Sequence, residues 1–430
     1  MTATVEFNPF DPATMQCPFP QYAQMRAHAP VAFVPQVGLW FVTRHDLVLQ
    51  VLRDTTTFSS RFGGPSIASA SGPADQRLKD VVAEGYPRVS TMLTEDPPEH
   101  TRFRGLVSKA FTPKAVAALE PFVRRIVTEL LDAWGDRTEI EFVQEFAVPL
   151  PVKAIATMLG VPEDRYADVK RWSDAFIAGI GTQLDLGGRI AAERQVNEFQ
   201  HYFADELDRR RAEPQGDLLS DLLAARLDEP GVDARPLDTA EILSILSQLM
   251  TAGNETTTKL LAEAMLLLWQ HPQEWAALRA DPGRADAVVE EALRLSTPTQ
   301  GMFRKVTADT DLGGQQIPKG SMVVAVYAAA NRDTEVFGPD AEAFCPGRQK
   351  ATQHLAFGKG IHFCLGAPLS RLEARVALEE IARRVDGFDV VGADHLRYFP
   401  SFILRGLTAL PLRLTGPPAP AGPRRPAEVT

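Results

Sequence analysis

The chain has 430 residues, 45% of them hydrophobic, which is enough for a large core, and a formal net charge of −10 that argues against nonspecific nucleic-acid binding. Its three cysteines, Cys17, Cys345 and Cys364, make no disulfide framework and suit a reducing cytosol. Met1–Phe7 has neither a basic region nor an apolar run, and no stretch offers about 18 consecutive apolar residues, so neither a leader nor a membrane span is expected and the location reads as cytoplasmic.

In chain order, Trp40-Phe41-Val42-Thr43 reads as a short strand, followed by a helix over 46–53. Gly63 to Pro73, rich in Gly, Ser, Ala and Pro, predicts a mobile loop. Asp96-Pro97-Pro98-Glu99 opens a helix with prolines near its start. Residues 115–135, 150–160, 165–180, 190–212 and 216–228 read as helices separated by Pro, Gly or Asp. The longest helical run is Asp238 to Gln270, opened by the capping-box pattern Asp238-x-x-Glu241 and closed by His271-Pro272; at 1.5 Å per residue it is roughly 48 Å long. Strand signals cluster near 301–306, 310–318, 321–327 and 388–415. No strong linker interrupts residues 1–415, which read as one domain, and residues 416–430 are a Pro-rich tail too poor in packing residues to be ordered. The pattern is that of a mainly α protein with small β-sheets.

Cys364 lies in Phe357-Gly358-Lys359-Gly360-Ile361-His362-Phe363-Cys364-Leu365-Gly366, just before a helical stretch from Ala367. Glycines let backbone approach the sulfur, and a helix start supplies N–H donors and a positive dipole end, both of which lower a thiol pKa. A buried structural cysteine is the commoner fate of a lone one. One cysteine cannot build a zinc or iron–sulfur cage, which wants several soft ligands, but a single thiolate suits a haem iron, where its electron donation favours O–O cleavage. Within the long helix, Ala252-Gly253-Asn254-Glu255-Thr256-Thr257-Thr258 joins a glycine to three β-branched threonines whose hydroxyls can bond back to the preceding turn. Such a weak point in a strong helix is either a solvated polar patch or a functional feature.

The cysteine segment resembles the haem-ligand loop of the cytochrome P450 family, and the likeness runs from about residue 8 to 415. It implies the P450 fold, a triangular helical prism with a long central helix over the haem, and the soluble bacterial type. It implies haem b held by Cys364 as proximal ligand, with Phe357 shielding the sulfur, Gly366 beside it, and His362, His100, Arg104 and Arg304 bonding the propionates. It gives Ala252 and Gly253 to an O2 groove and Glu255 and Thr256 to proton delivery. It makes Glu291-x-x-Arg294 a buried structural brace whose third member is Arg348, in Phe344-Cys345-Pro346-Gly347-Arg348. Cys345 stands where Asp is frequent and Thr334 where Pro is frequent.

By the same resemblance a pocket is lined by Phe62, Ile67, Met92, Leu93, Phe176, Ile177, Ile180, Leu249, Met302, Phe402 and Ile403, which suits an apolar small molecule. Arg61, Arg77 or Arg88 could meet a substrate carboxylate, although loop arginines are usually solvated. The implied reaction is monooxygenation, RH + O2 + two electrons + two protons giving ROH and water. The alternatives are a peroxide-driven haem-thiolate peroxygenase and a non-enzymatic haem-binding sensor. The chain has no sequence for flavin or a cluster, so electrons are expected from a separate ferredoxin and its reductase, docking on Arg102, Lys109, Lys114 and Lys359 at the proximal face.

Overall fold

The computed structural model describes residues 7–62, 75–180, 182, 184–229 and 232–416. The loop expected over 63–73, with Ile67, and the tail beyond Gly416 lie outside them.

The long helix runs unbroken over Thr239–Gln270. Its capping box forms as predicted: Asp238 Oδ1 accepts from the Glu241 N–H at 2.8 Å, and Glu241 Oε2 accepts from the Asp238 N–H at 2.9 Å. Residues all round the helix are buried, as befits a helix enclosed by others. Around it pack Pro149–Met158, Tyr166–Ile177, Leu186–Ala212, Ala285–Ser296 and Ala367–Arg384. Their shared core includes Phe142, Phe146, Trp172, Phe199 and Leu260.

Beside the helices lies a five-stranded sheet in the order Val31–Val34, Leu39–Val42, Met322–Ala325, Met302–Val306, Phe58–Ser59. Met322–Ala325 runs parallel to Leu39–Val42, and the remaining pairs are antiparallel. Alternation sorts the side chains: Trp40, Val42 and Val323 enter one core cluster, Phe41, Phe303 and Val324 another. A three-stranded sheet joins Phe388–Val390, Pro411–Leu414 and Glu139–Glu141.

Two helix expectations need correction. The helix predicted over 216–228 ends at Ala224, and Arg226–Glu229 pairs as a strand with Val232–Pro236. Leu222-Leu223-Ala224-Ala225 continues an apolar helical pattern, so only the hairpin partner reveals the change. The helix predicted over 115–135 divides into Pro113–Ala117 and Glu120–Asp132. Pro121 has no N–H to give to the preceding turn and begins the second piece.

Glu291 and Arg294, on Ala285–Ser296, are both 0% exposed and pair through two contacts of 2.8 and 2.9 Å. Arg348 Nε and the Cys345 N–H each reach Glu291 Oε1 at 3.0 Å. Arg294 donates its remaining N–H groups to the carbonyls of Asn331, Ala341 and Ala343. Every hydrogen-bonding group of this pair is therefore used, and together they pin residues 331–348 to the helix. Removing one member leaves the other as a buried unpaired charge. Arg294→Ala should accordingly lower stability by about 3–5 kcal/mol, read as the urea midpoint at unchanged slope.

Candidate functional site: a cysteine loop facing a cluster of cations

The cysteine loop is a chain of tight turns. The Leu355 N–H is held by Asn331 Oδ1 at 2.6 Å, the Gly358 N–H by the Leu355 carbonyl at 2.9 Å, and the Cys364 N–H by the Phe357 carbonyl at 2.9 Å. Gly360 has φ +74°, and a Cβ there would lie 2.7 Å from the Leu52 carbonyl oxygen, so no other residue fits. A Cβ at Gly366 would reach 4.0 Å from the sulfur. The N–H groups of Gly366 and Ala367, at the start of Ala367–Arg384, bond toward Cys364, and Arg104 and Arg371 add positive charge. The sequence led us to expect a lowered thiol pKa, but burial pushes it up by more than these groups pull it down. A coordinated metal reverses that balance, since a metal-bound thiol is deprotonated outright.

The structure brings His100, Arg104, Arg304 and His362 together. His100 and Arg104 share a face of Glu99–Ser108, and Arg104 donates to the Phe363 carbonyl at 2.6 Å. Arg304 stands opposite Val323 in the sheet, 3% exposed. His362 Nε2 lies 2.9 Å from Ser60 Oγ, and its ring centroid is 4.4 Å from that of His100. Burial, then the charges of Arg304, His100 and Arg104, drive the His362 pKa down to about 3. Burial likewise lowers the pKa of His100, Arg104 and Arg304. Neither ring nitrogen of His100 makes a well-formed hydrogen bond, and Arg304 Nε has none. Asp96, the nearby acid, is engaged by Ser59 and by the Ser60 N–H. Four cation-capable groups that repel one another call for a compact dianion, and two carboxylates on one group would satisfy them.

On the long helix, Thr256 donates to the Ala252 carbonyl at 3.0 Å, the back-bond its residue type allows. Ala252 is exposed, and a Cβ at Gly253 would meet Ile155 at 3.7 Å, an ordinary packing distance to the helix Pro149–Met158. Glu255 is 6% exposed and held by Lys259 at 2.7 Å and Lys170 at 3.2 Å. Burial alone would raise its pKa, but the two ammonium groups outweigh burial and hold it at about 2. Gly406 makes room for this arrangement, because a Cβ there would fall 2.1 Å from Lys259 Cγ. Lys170 also pairs with Asp174, whose side chain is 51% exposed.

Of the predicted pocket residues, Phe62, Ile177, Ile180, Phe402 and Ile403 gather on one side of the sheet, and Ser401 Oγ ties to the Ile180 carbonyl at 2.8 Å. Met92, Phe176 and Leu249 join the helical core, Met302 packs on the opposite sheet face, and Leu93 is exposed. Arg61 is paired with Glu95 and Glu99, Arg77 with Asp75, and Arg88 with Glu193. Each arginine considered for a substrate carboxylate is therefore already committed. Sequence reasoning missed Ser60, Asp96, Lys170 and Lys259. Lys259 could have been read from its i,i+4 spacing to Glu255, whereas Lys170 carries no such signal.

A single cysteine in a glycine loop, beside four cation-capable side chains, fits a haem-thiolate protein. The family model for cytochrome P450 matches residues 152–386. Cytochrome P450 109 of Bacillus spizizenii is 37% identical over 93% of this chain and 92% of its own length. The structure of CYP109Q5 from Chondromyces apiculatus is 39% identical with a TM-score of 0.83, covering 96% of this chain and 99% of that one. CYP109E1 from Bacillus megaterium, solved in complex with testosterone, is 33% identical with a TM-score of 0.80, covering 94% of this chain and 100% of that one. The chain belongs to the cytochrome P450 family and is a monooxygenase whose cofactor is haem iron. No helix among the described residues is long and apolar enough to cross a membrane.

If Cys364 is the iron ligand, the ferrous–CO complex shows the red-shifted Soret band of thiolate ligation, and Cys364→Ser abolishes it because an alcohol is a poor soft donor. Retention of that band in the serine variant would refute the assignment.

Proposed function

We propose that this chain binds haem b through Cys364 and inserts one atom of O2 into a neutral, apolar small molecule, with electrons from a separate ferredoxin and its reductase. The observation that carries this reading is the cysteine loop set beside His100, whose ring nitrogens make no well-formed hydrogen bond, Arg304, whose Nε has none, and Arg104 and His362, whose charged forms would repel one another. These four would bond the two haem propionates, and Phe357 would shield the sulfur. When bound, the haem supplies the activation and cleavage of O2, which thiolate donation favours.

The protein's own part is to hold substrate and move protons. The Thr256 hydroxyl has committed its proton to the Ala252 carbonyl, so its lone pairs remain to receive a hydrogen bond from water in the site. Asp174, Lys170 and Glu255 form a line of titratable groups leading from the surface to the helix turn that carries Thr256. Glu255 is ionised in this line and so begins as a proton acceptor, gaining basicity when it leaves a lysine. A peroxide-driven enzyme or a sensor has no need of such a line. The committed arginines favour a neutral substrate, and the aromatic and aliphatic group around Phe62, Ile180 and Phe402 favours an apolar one such as a terpenoid, steroid, fatty acyl chain or aromatic. The testosterone complex of the Bacillus megaterium relative supports that class.

The proximal face follows from Arg104 reaching Phe363, which sets Glu99–Ser108 beside the cysteine loop. Lys109, Lys114 and Lys359 are exposed there, whereas the Arg102 side chain is only 18% exposed and lies 3.8 Å from Glu99. The three lysines therefore carry the docking reading better than Arg102.

Turnover of an apolar substrate with ferredoxin and reductase, with peroxide, or with neither separates the monooxygenase from the peroxygenase and the sensor. Thr256→Ala should keep haem and substrate affinity but lower product formed per NADH oxidised by about tenfold, the electrons appearing as hydrogen peroxide; unchanged coupling would sink the role of Thr256. Lys109→Glu should slow first-electron transfer from ferredoxin several-fold, most strongly at low salt, with substrate binding intact. If reduction responds neither to salt nor to this reversal, the ferredoxin docks elsewhere.

A further inference from the structure

Beside the cysteine loop lies a second charged group that the reading above leaves unused. Arg371 sits seven residues past Cys364 on Ala367–Arg384, and its guanidinium carbon lies 4.5 Å from the ring centroid of Phe357. Two of its N–H groups grip both oxygens of Glu290, the second at 3.1 Å. Glu290 also meets His354, whose Nε2 is 3.3 Å from Oε2 in a long, bent contact. The Ala356 N–H donates to His354 Nδ1 at 3.1 Å, so the ring proton belongs on Nε2, facing the carboxylate. His354 and Glu290 are 1% and 14% exposed at their side chains, and Arg371 is 33% exposed. The carboxylate is thus fixed from two sides, and by holding the fork of Arg371 it keeps the guanidinium over the Phe357 ring.

We propose that Arg371, oriented by Glu290 and His354 and held over Phe357, is a positioning residue whose charge sets the electron-donating strength of the Cys364 thiolate. This rests on the haem-thiolate reading of Cys364. The pair is a fixed dipole whose positive end lies against the Phe357 ring and acts on the Cys364 sulfur, favouring its charged form. A positive charge beside an electron-rich ligand stabilises the reduced iron and withdraws density from the sulfur. Stacking on the ring also fixes Phe357, which the resemblance makes the shield of that sulfur.

The test is potentiometry of the haem-loaded protein, with the ferrous–CO spectrum recorded beside it to report ligation independently of potential. Arg371→Gln should keep the thiolate-type band and make ferric-to-ferrous reduction less favourable by about tenfold in its equilibrium constant, about 59 mV for one electron. Arg371→Lys keeps the charge and loses the planar stack, so it should restore most of the shift. Glu290→Gln removes the negative end and should move the potential in the opposite direction. A merely structural clamp would move the glutamine variants of Arg371 and Glu290 the same way. An unchanged potential in Arg371→Gln, or equal shifts in the Gln and Lys variants, overturns the proposal. Should Arg371→Gln fail to hold haem, a shift in Glu290→Gln that is absent or negative overturns it alone. Loss of the thiolate band in the unmodified protein would instead remove the reading on which it rests.

Discussion

Two adjacent carboxylates on the helix Ala285–Ser296 hold together the parts on which the site depends. Glu291 points into the protein and, with Arg294 and Arg348, is fully engaged by backbone and side chains. Arg294 fastens the Asn331 carbonyl, and the Asn331 side chain in turn receives the Leu355 N–H that begins the cysteine loop. Asn331 also donates to Thr297 Oγ1 at 2.8 Å. Thr297 is the one non-glycine residue with positive φ among the described residues, at 45°, and its hydroxyl further bonds back to the Arg294 carbonyl. The strain of that conformation is held by these surrounding bonds. Glu290, one position earlier, faces the loop from outside through Arg371 and His354. A buried pair of this kind adds little net stability over apolar packing, but its geometry admits one arrangement of the segment that it grips.

Charge is distributed unevenly about the cysteine. On the side of His362, the cations Arg104 and Arg304 outnumber Asp96. On the long helix the imbalance is local and opposite in design: one carboxylate, Glu255, is shared between Lys170 and Lys259. The first arrangement is costly in the protein alone and would become favourable with a dianion bound, as the proposed function has it. The second is satisfied within the protein and would have to be loosened to serve the proposed proton delivery. A third group belongs to neither. Glu373 is buried on the cysteine helix with its carboxyl pushed up to about 8 by burial, a hydrogen bond from Thr257 opposing. It is therefore mostly neutral at pH 7.

The pocket illustrates how far chemistry type and position can part. Of the apolar residues named for it from the sequence, nine divide among three packing groups, Leu93 is exposed, and Ile67 lies outside the described residues. Loop arginines that could have selected an acidic substrate are neutralised by Glu95, Glu99, Asp75 and Glu193. Under the proposed function, substrate would be selected by shape and apolar contact, which scale with the area removed from water and discriminate less sharply than a buried ion pair would.

The amino-acid sequence alone determined the motifs whose partners are near in the chain. The spacing within Phe357–Gly366, the capping box of Asp238 and Glu241, the Glu291–Arg294 pair and the back-bonding of Thr256 all depend on residues a turn or two apart, where local geometry leaves few choices. Tertiary structure decided everything that depends on elements meeting. Lys170 reaches Glu255 from 85 residues away, and Ser60 reaches His362 from 302 away. It made a strand of Arg226–Glu229 once Val232–Pro236 lay beside it. It also reversed the expected direction of the Cys364 thiol pKa, because the number of N–H donors near a sulfur can be read from a helix start, while its loss of water depends on every neighbour that packs over it.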